Sequence, residues 1–266
     1  MQRRDFLVTA GAVGLAATTL KTTQAAQGRV RKQFIELKTY TVADEAKKEQ
    51  LIAILDKALI PALNRQRIKP VGVFWTNKEI NEGKDEFDKT VFVVVPHATE
   101  NSFIGCTAKL LADKQYMKDA APIFEAPMKD PLYQTYESTL MLGFEKCPQV
   151  EVPTLSPDRV AQLRYYKSYN LERNAAKIHM FDQGGELPLF RKVKMNPIFF
   201  GETIFGTFMP NLTYMLSFEN EEARKLGWKM FIESDEWAKI KSDPLYKDTA
   251  NTIVNVLLKP SPGSQI

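Results

Sequence analysis

Polar and apolar positions along this chain follow an order that is stated twice. From Phe34 to Val42 the side chains alternate in a stretch rich in strand formers, and between Asp44 and Ile68 the residues Leu51, Leu55, Leu59 and Leu63 recur four apart on one helical face. The pattern predicts a strand followed by an amphipathic helix. Pro61 falls inside that helix and is expected to kink or break it, because proline lacks the amide donor and its ring clashes with the preceding turn. Two strand-like runs, 70–75 and 90–95, flank the charged, Gly-containing segment 76–89 and read as a hairpin. Thr99 is placed to cap a second helix through Leu110 and Leu111, and residues 139–144 read as a fourth strand. The order is β-α-β-β-α-β.

The same order returns from Val160, with a helix beginning near Leu171 and strands at 196–205 and 212–218. Gln183-Gly184-Gly185 interrupts the first helix just before Pro188, and Asn220 is placed to cap a second helix carrying Ala223, Leu226, Met230 and Phe231. Residues 252–259 make the last strand. Short motifs are also repeated. Asp130-Pro131-Leu132-Tyr133 returns as Asp243-Pro244-Leu245-Tyr246, and Pro61 and Pro70 are answered by Pro188 and Pro197 at the same spacing. Such self-similarity points to a tandem duplication with loops of unequal length. Residues 145–158, with three prolines and few aliphatics, form the natural linker.

Units of this order are ferredoxin-like, each an antiparallel four-stranded sheet with both helices on one face. The uncovered sheet faces can bury each other when two units pack together. The fold expected is therefore α+β: two tandem ferredoxin-like β-α-β-β-α-β units, residues 32–146 and 158–261, forming a dimeric α+β barrel within one chain.

The first residues give an address. Arg3-Arg4-Asp5-Phe6-Leu7, an apolar stretch from Phe6 to Leu20 and a small-residue end at Thr23-Gln24-Ala25-Ala26 have the layout of a bacterial secretory signal of the twin-arginine class. The stretch is shorter than the ~20 residues of a membrane-spanning helix. A signal at residues 1–25 places the mature protein in the periplasm or outside the cell. Changing Arg3 and Arg4 together to Lys is expected to block export; normal processing of that variant in cell fractions would remove the twin-arginine assignment. Cleavage removes three of the 36 basic and one of the 32 acidic residues, which takes the net charge from +4 to +2. No basic patch interleaved with aromatics stands out, which gives nucleic-acid binding no support.

Only two cysteines occur, Cys106 and Cys147, and their spacing allows either one disulfide or two buried thiols. With no Cys-x-x-Cys and two histidines in all, no metal site is expected.

Phe34-Ile35-Glu36-Leu37-Lys38-Thr39-Tyr40-Thr41, the helix end at Pro61, Lys69-Pro70-Val71-Gly72, Ala223-Arg224-x-x-x-Trp228-x-x-Phe231 and Ser234-Asp235-Glu236-Trp237 together resemble the NIPSNAP family. The resemblance spans both repeats. The first departs from it, with Ala108, Leu111 and Tyr116 near where the second has Lys229, Ile232 and Trp237. The family is similar in fold to antibiotic-biosynthesis monooxygenases and other ligand-binding dimeric barrels. It brings no agreed catalytic set to carry over and names no cofactor.

Candidate chemistry must then come from the residues themselves. Alternation in the first strand sets Glu36, Lys38 and Tyr40 on one face and Ile35, Leu37 and Thr39 on the other. With the Leu37 face against the helices, the polar face looks into the barrel. Its counterpart in the second repeat is Gln162, Arg164 and Tyr166. A cation flanked by an acceptor and a phenol suits an anionic or phenolic ligand; the other reading is a polar face paired with itself that orders the barrel. His97, at a strand end near the barrel mouth, is a further candidate proton acceptor or ligand. The function expected is that of an exported NIPSNAP-type protein holding a small molecule between its two sheets. The alternative is a cofactor-independent monooxygenase- or isomerase-like enzyme acting on an aromatic or phenolic substrate. The partners this reading admits are a small-molecule ligand and further copies of the chain, with no nucleic acid and no membrane once the signal is removed.

Overall fold

Alternation in β1 (Phe34–Thr41) divides its side chains between two environments, and the same division organises the molecule. The computed structural model describes residues 30–266, so the export signal and its arginine pair lie outside the described residues. Ile35 and Leu37 join Phe92, Met141, Leu163, Met215 and Leu258 in a core drawn from both halves of the chain. On its other face β1 presents Tyr40 to a core that includes Leu51, Leu55 and Leu63 of the first helical segment.

The first half continues with α1 (Glu45–Ile54), α2 (Ile60–Arg65), β2 (Gly72–Trp75), β3 (Thr90–His97), α3 (Glu100–Ile104), α4 (Cys106–Ala112), α5 (Lys114–Asp119), α6 (Ala121–Phe124) and β4 (Thr135–Gly143). The second has β5 (Val160–Lys167), α7 (Leu171–Asp182), α8 (Glu186–Lys192), β6 (Asn196–Phe205), β7 (Asn211–Phe218), α9 (Glu221–Ile232), α10 (Asp235–Lys241) and β8 (Thr252–Pro260). The strands close into one barrel in the order β1-β3-β2-β8-β5-β7-β6-β4, every pair antiparallel. The four strands of each half are contiguous, and the halves are joined at β2–β8 and β4–β6.

Those seams differ. At β4–β6 the strands pair from Leu140↔Phe205 to Gly143↔Gly201, and glycine is required at 201 because a Cβ there would sit 2.7 Å from the Cβ of Met141. At β2–β8 only Phe74↔Pro260 and Trp75↔Lys259 pair. The C-terminal residues extend that short seam: Ser261 and Gln265 donate backbone N–H groups to the carbonyls of Val73 and Val71. Beyond the strand pairs, the side chain of Asn81 accepts from the Leu257 amide at 3.0 Å, and Arg224 reaches Glu82 at 2.7 Å, tying the loop after β2 to the second half.

Local chemistry explains the element ends. Asp44, Thr99, Asn170 and Asn220 each cap a helix by accepting a backbone N–H with the side chain. Pro61 does not break its helix as expected. Residues 55–59 widen into a π-turn, with the Ile60 amide bonded to the carbonyl of Leu55, and Pro61 then sits in the first turn of α2, where its missing donor leaves no gap. In the second half the helix does stop, and Gly185 holds a φ of +99° between α7 and α8. The single helix expected through Leu110 and Leu111 is four short ones, α3 to α6, interrupted at Gly105, Asp113 and Ala120. No helix among the described residues is long and apolar enough to cross a membrane.

Candidate functional site

Glu36, Lys38 and Tyr40 leave β1 on the side opposite to the one alternation was expected to give them. They lie beneath the helices of the first half and not inside the barrel. The reason is volume and solvation. An eight-stranded barrel has an interior just wide enough for side chains to fill, and here Ile35, Leu37, Phe92, Met141, Phe199 and Met215 occupy it. A charge placed there would have no partner. His97 is corrected in the same way: it does not stand at the mouth but is fully buried at the end of β3, with its ring edge-on to Phe103 of α3.

Under the helices the charges are paired. Lys38 Nζ donates to Glu36 Oε1 at 2.5 Å and to the Tyr136 hydroxyl at 2.8 Å. Ser138 donates to the same Glu36 oxygen at 2.6 Å, while Glu36 Oε2 lies 3.1 Å from His97 Nε2, and His97 Nδ1 lies 3.2 Å from Ser102 Oγ. Glu36, Lys38 and His97 are each less than 5% exposed. Burial by itself would raise the Glu36 pKa, but the His97 contact, the charge and hydrogen bond of Lys38 and the Ser138 hydroxyl outweigh it and hold the carboxyl at about 2. Burial likewise opposes the charge on Lys38, and Glu36 and Tyr136 override it, so the ammonium persists. The network is an anion clamped among donors, with one cation turned outward.

That cation lines a cavity of about 150 Å³, together with Tyr40, Tyr116, Tyr133, Tyr136 and Phe124, with Leu59, Thr107, Leu110 and Leu111 on the helix side. Burial pushes the Tyr116 hydroxyl up to about 12 and that of Tyr40 well above the ordinary phenol value, with neighbouring tyrosines adding to both, so these phenols stay neutral. The Tyr40 ring packs on Tyr133 and Tyr136, with centroids 5.3 and 5.1 Å away.

The second half holds the matching residues but not the space. Gln162 donates to Asn255 at 2.5 Å and accepts from the Trp228 indole at 2.6 Å. The Arg164 guanidinium lies between the Trp228 and Tyr166 rings, 4.6 and 5.3 Å from their centroids. Tyr166 stacks on Tyr214, which stacks in turn on Phe200. The strand registers give the cause. Lys38 faces Val93, and Val93 faces Val73; Arg164 faces Tyr214, and Tyr214 faces Phe200. Two valines in one copy are two aromatic rings in the other. The candidates therefore form two separate clusters, one beside a cavity and one inside a packed aromatic core.

Tyr136 and Ser138 escape the sequence pattern, which opens the fourth strand at residue 139, whereas that strand begins at Thr135. The register then sets Tyr136, Ser138 and Leu140 opposite Tyr40, Lys38 and Glu36. Tyr133 had a visible signal, the repeated Asp-Pro-Leu-Tyr motif. Cys106 and Cys147 are buried free thiols, and burial with the nearby Glu151 pushes the Cys147 pKa up to about 12. Among the described residues no group of three His, Cys, Asp or Glu side chains is placed to hold a metal ion.

Comparison with family models and with curated proteins gives no match. Solved structures do match. A candidate monooxygenase of Lactobacillus acidophilus superposes with a TM-score of 0.56 at 8% identity, covering 87% of this chain and 95% of that one. An anthrone oxidase-like protein gives 0.51 at 9% identity over 87% of this chain and 92% of that one. A NIPSNAP-like domain protein of Burkholderia xenovorans covers 39% of this chain and 85% of its own at 19% identity, with a TM-score of 0.33. At these identities the two longer matches establish the fold, an α+β barrel of the dimeric type built here from one chain.

Proposed function

We propose that the first half binds a small planar phenol or aromatic carboxylate, as its anion, in the cavity beside Lys38. One observation carries this reading: a buried ammonium with three N–H donors spends two of them on Glu36 and Tyr136 and lines a cavity walled by aromatic rings. A hydrocarbon-lined cavity of about 150 Å³ is large enough for benzene, so the space suits a single ring. Lys38 and the Tyr136 hydroxyl, hydrogen-bonded to each other, form a donor pair in a wall otherwise made of tyrosine and phenylalanine rings, three leucines and Thr107. Burial opposes the charge of a phenolate there, as it does for Tyr40 and Tyr116, but a bound phenolate takes hydrogen bonds from the Lys38 ammonium and the Tyr136 hydroxyl that those two side chains do not receive, and these bring its pKa below the value in free solution. Glu36 does not touch the ligand in this reading; with His97 and Ser138 behind it, it holds Lys38 in place and balances its charge.

A second reading extends the first. Forming a phenolate or enolate is also the opening step of cofactor-independent oxygenation and of proton-shift isomerisation, and the names of the two structures of matching fold point to oxidative chemistry. We read the chain, on its sequence motifs, as an exported tandem NIPSNAP-type protein, in which one copy has kept an open site.

The test uses 4-nitrophenol, whose phenolate absorbs visible light. Titrating protein into the phenol just below its free pKa is expected to raise the phenolate absorbance to a plateau, and Lys38→Met is expected to remove the rise. Tyr136→Phe, at a half-exposed position, is expected to weaken it several-fold, the effect of one lost hydrogen bond to a charged group, and to lower the melting temperature modestly, because the buried Lys38 ammonium loses one acceptor. No saturable rise, or one that Lys38→Met leaves intact, rules the reading out.

A further inference from the structure

The inward-facing row of β1 runs Ile35, Leu37, Thr39, Thr41, so the barrel lining changes from hydrocarbon to hydroxyl toward one end. At that end lies a cavity of about 610 Å³, within the range of small-molecule sites and far larger than the one beside Lys38. The two share no residue. They lie on opposite faces of the same sheet, with Thr39 lining one and its neighbours Lys38 and Tyr40 lining the other.

Aromatic rings and carboxylates make up much of this mouth. Phe87 packs on Phe92, and Phe208 packs on Tyr165, with ring centroids 6.0 and 5.9 Å apart. Phe208 is half exposed and holds a φ of +63°, a left-handed conformation that is strained for a bulky aromatic residue. The chain tolerates that strain where the ring stands beside the opening. Asp85, Glu86, Asp88 and Glu137 line the same cavity against a single cation, Lys89. Burial first, and then the nearby Glu137 charge, raise the Tyr165 pKa, so its hydroxyl adds no further negative charge.

We propose that this barrel mouth is a second binding site, selective for an organic ammonium ion with an apolar or aromatic body. The aromatic faces attract a cation through their quadrupoles, and most strongly where water is excluded. The carboxylates supply the counter-charge. An anion is repelled by the same groups. A neutral ring gains the packing but leaves the carboxylates unanswered.

Calorimetric titration with benzyltrimethylammonium tests this, with benzyl alcohol and benzoate as neutral and anionic controls. The cation is expected to bind saturably and at least about tenfold tighter than either control, and to weaken as salt is added. Glu137→Gln, at an exposed position, and Phe208→Leu are each expected to weaken it several-fold, while Lys89→Gln tightens it, since that change removes the one opposing charge. Lys38→Met leaves it unchanged, which separates this site from the one proposed above. Absence of saturable binding, equal affinity for benzyl alcohol, or unchanged affinity in both Glu137→Gln and Lys89→Gln would overturn the proposal.

Discussion

Replacing Glu36 with Ala is expected to lower the free energy of unfolding by about 3–5 kcal/mol, because the substitution leaves the Lys38 ammonium buried with no counter-charge. Lys38→Met in the same chain is expected to recover a large part of the loss, since the stranded charge is then removed as well. Urea denaturation of the single and double variants measures both. Acid should act on the same pair. The Glu36 carboxyl moves from 4.5 unfolded to about 2 folded, so its contribution of about 3 kcal/mol is complete above pH 5 and is lost as the pH falls toward 2. In Glu36→Gln that part of the acid dependence is absent. Parallel stability curves for Glu36→Gln and the unaltered protein between pH 5 and pH 2 would show that Glu36 is not the group responsible.

Phe190→Ala is expected to cost a similar amount, about 3–5 kcal/mol, for an unrelated reason. Phe190 is fully buried and packs against Phe181, Phe200, Tyr214, Trp228 and Phe231, so truncation opens a void in the aromatic core of the second half. The remaining rings resist closing that void, since Phe181, Phe200 and Tyr214, and Trp228 with Phe231, already hold one another at centroid distances of 4.5–5.7 Å. The informative comparison is with ligand binding. At temperatures where the variant stays folded, its titration with 4-nitrophenol should match that of the unaltered protein, because the cavity lies in the other half. A loss of binding without unfolding would mean that the two halves do not divide the work as their packing indicates.

That division has a simple physical origin in the duplication. Both copies place a cation at the same point of their first strand, Lys38 and Arg164, and both surround it with tyrosine. Lys38 is a compact donor beside a cavity, whereas the planar guanidinium of Arg164 lies over the Trp228 and Tyr166 rings in the aromatic core, its Nε buried without an acceptor. Valine at 73 and 93 leaves one cleft room that Phe200 and Tyr214 deny the other.

The sequence by itself determined the element order, the repeat, the helix caps at Thr99 and Asn220 and the α+β barrel, because each is written in local terms: a period of two or 3.6, a capping side chain, a glycine or proline at a boundary. It also determined that Glu36, Lys38 and Tyr40 share one face of a strand. Which side of the sheet that face meets was decided only by tertiary structure. Alternation fixes the division of side chains into two sets, but both sides of this sheet are covered, one by the opposing half of the barrel and one by helices, and period alone cannot tell two buried sides apart. The His97–Glu36–Ser138 network, the opening beside Lys38 and the acidic mouth have the same standing. Each joins residues far apart in the chain, 61 positions from Glu36 to His97, 102 from Glu36 to Ser138 and farther still from Thr39 to Phe208, and each depends on volumes that close only when the strands come together.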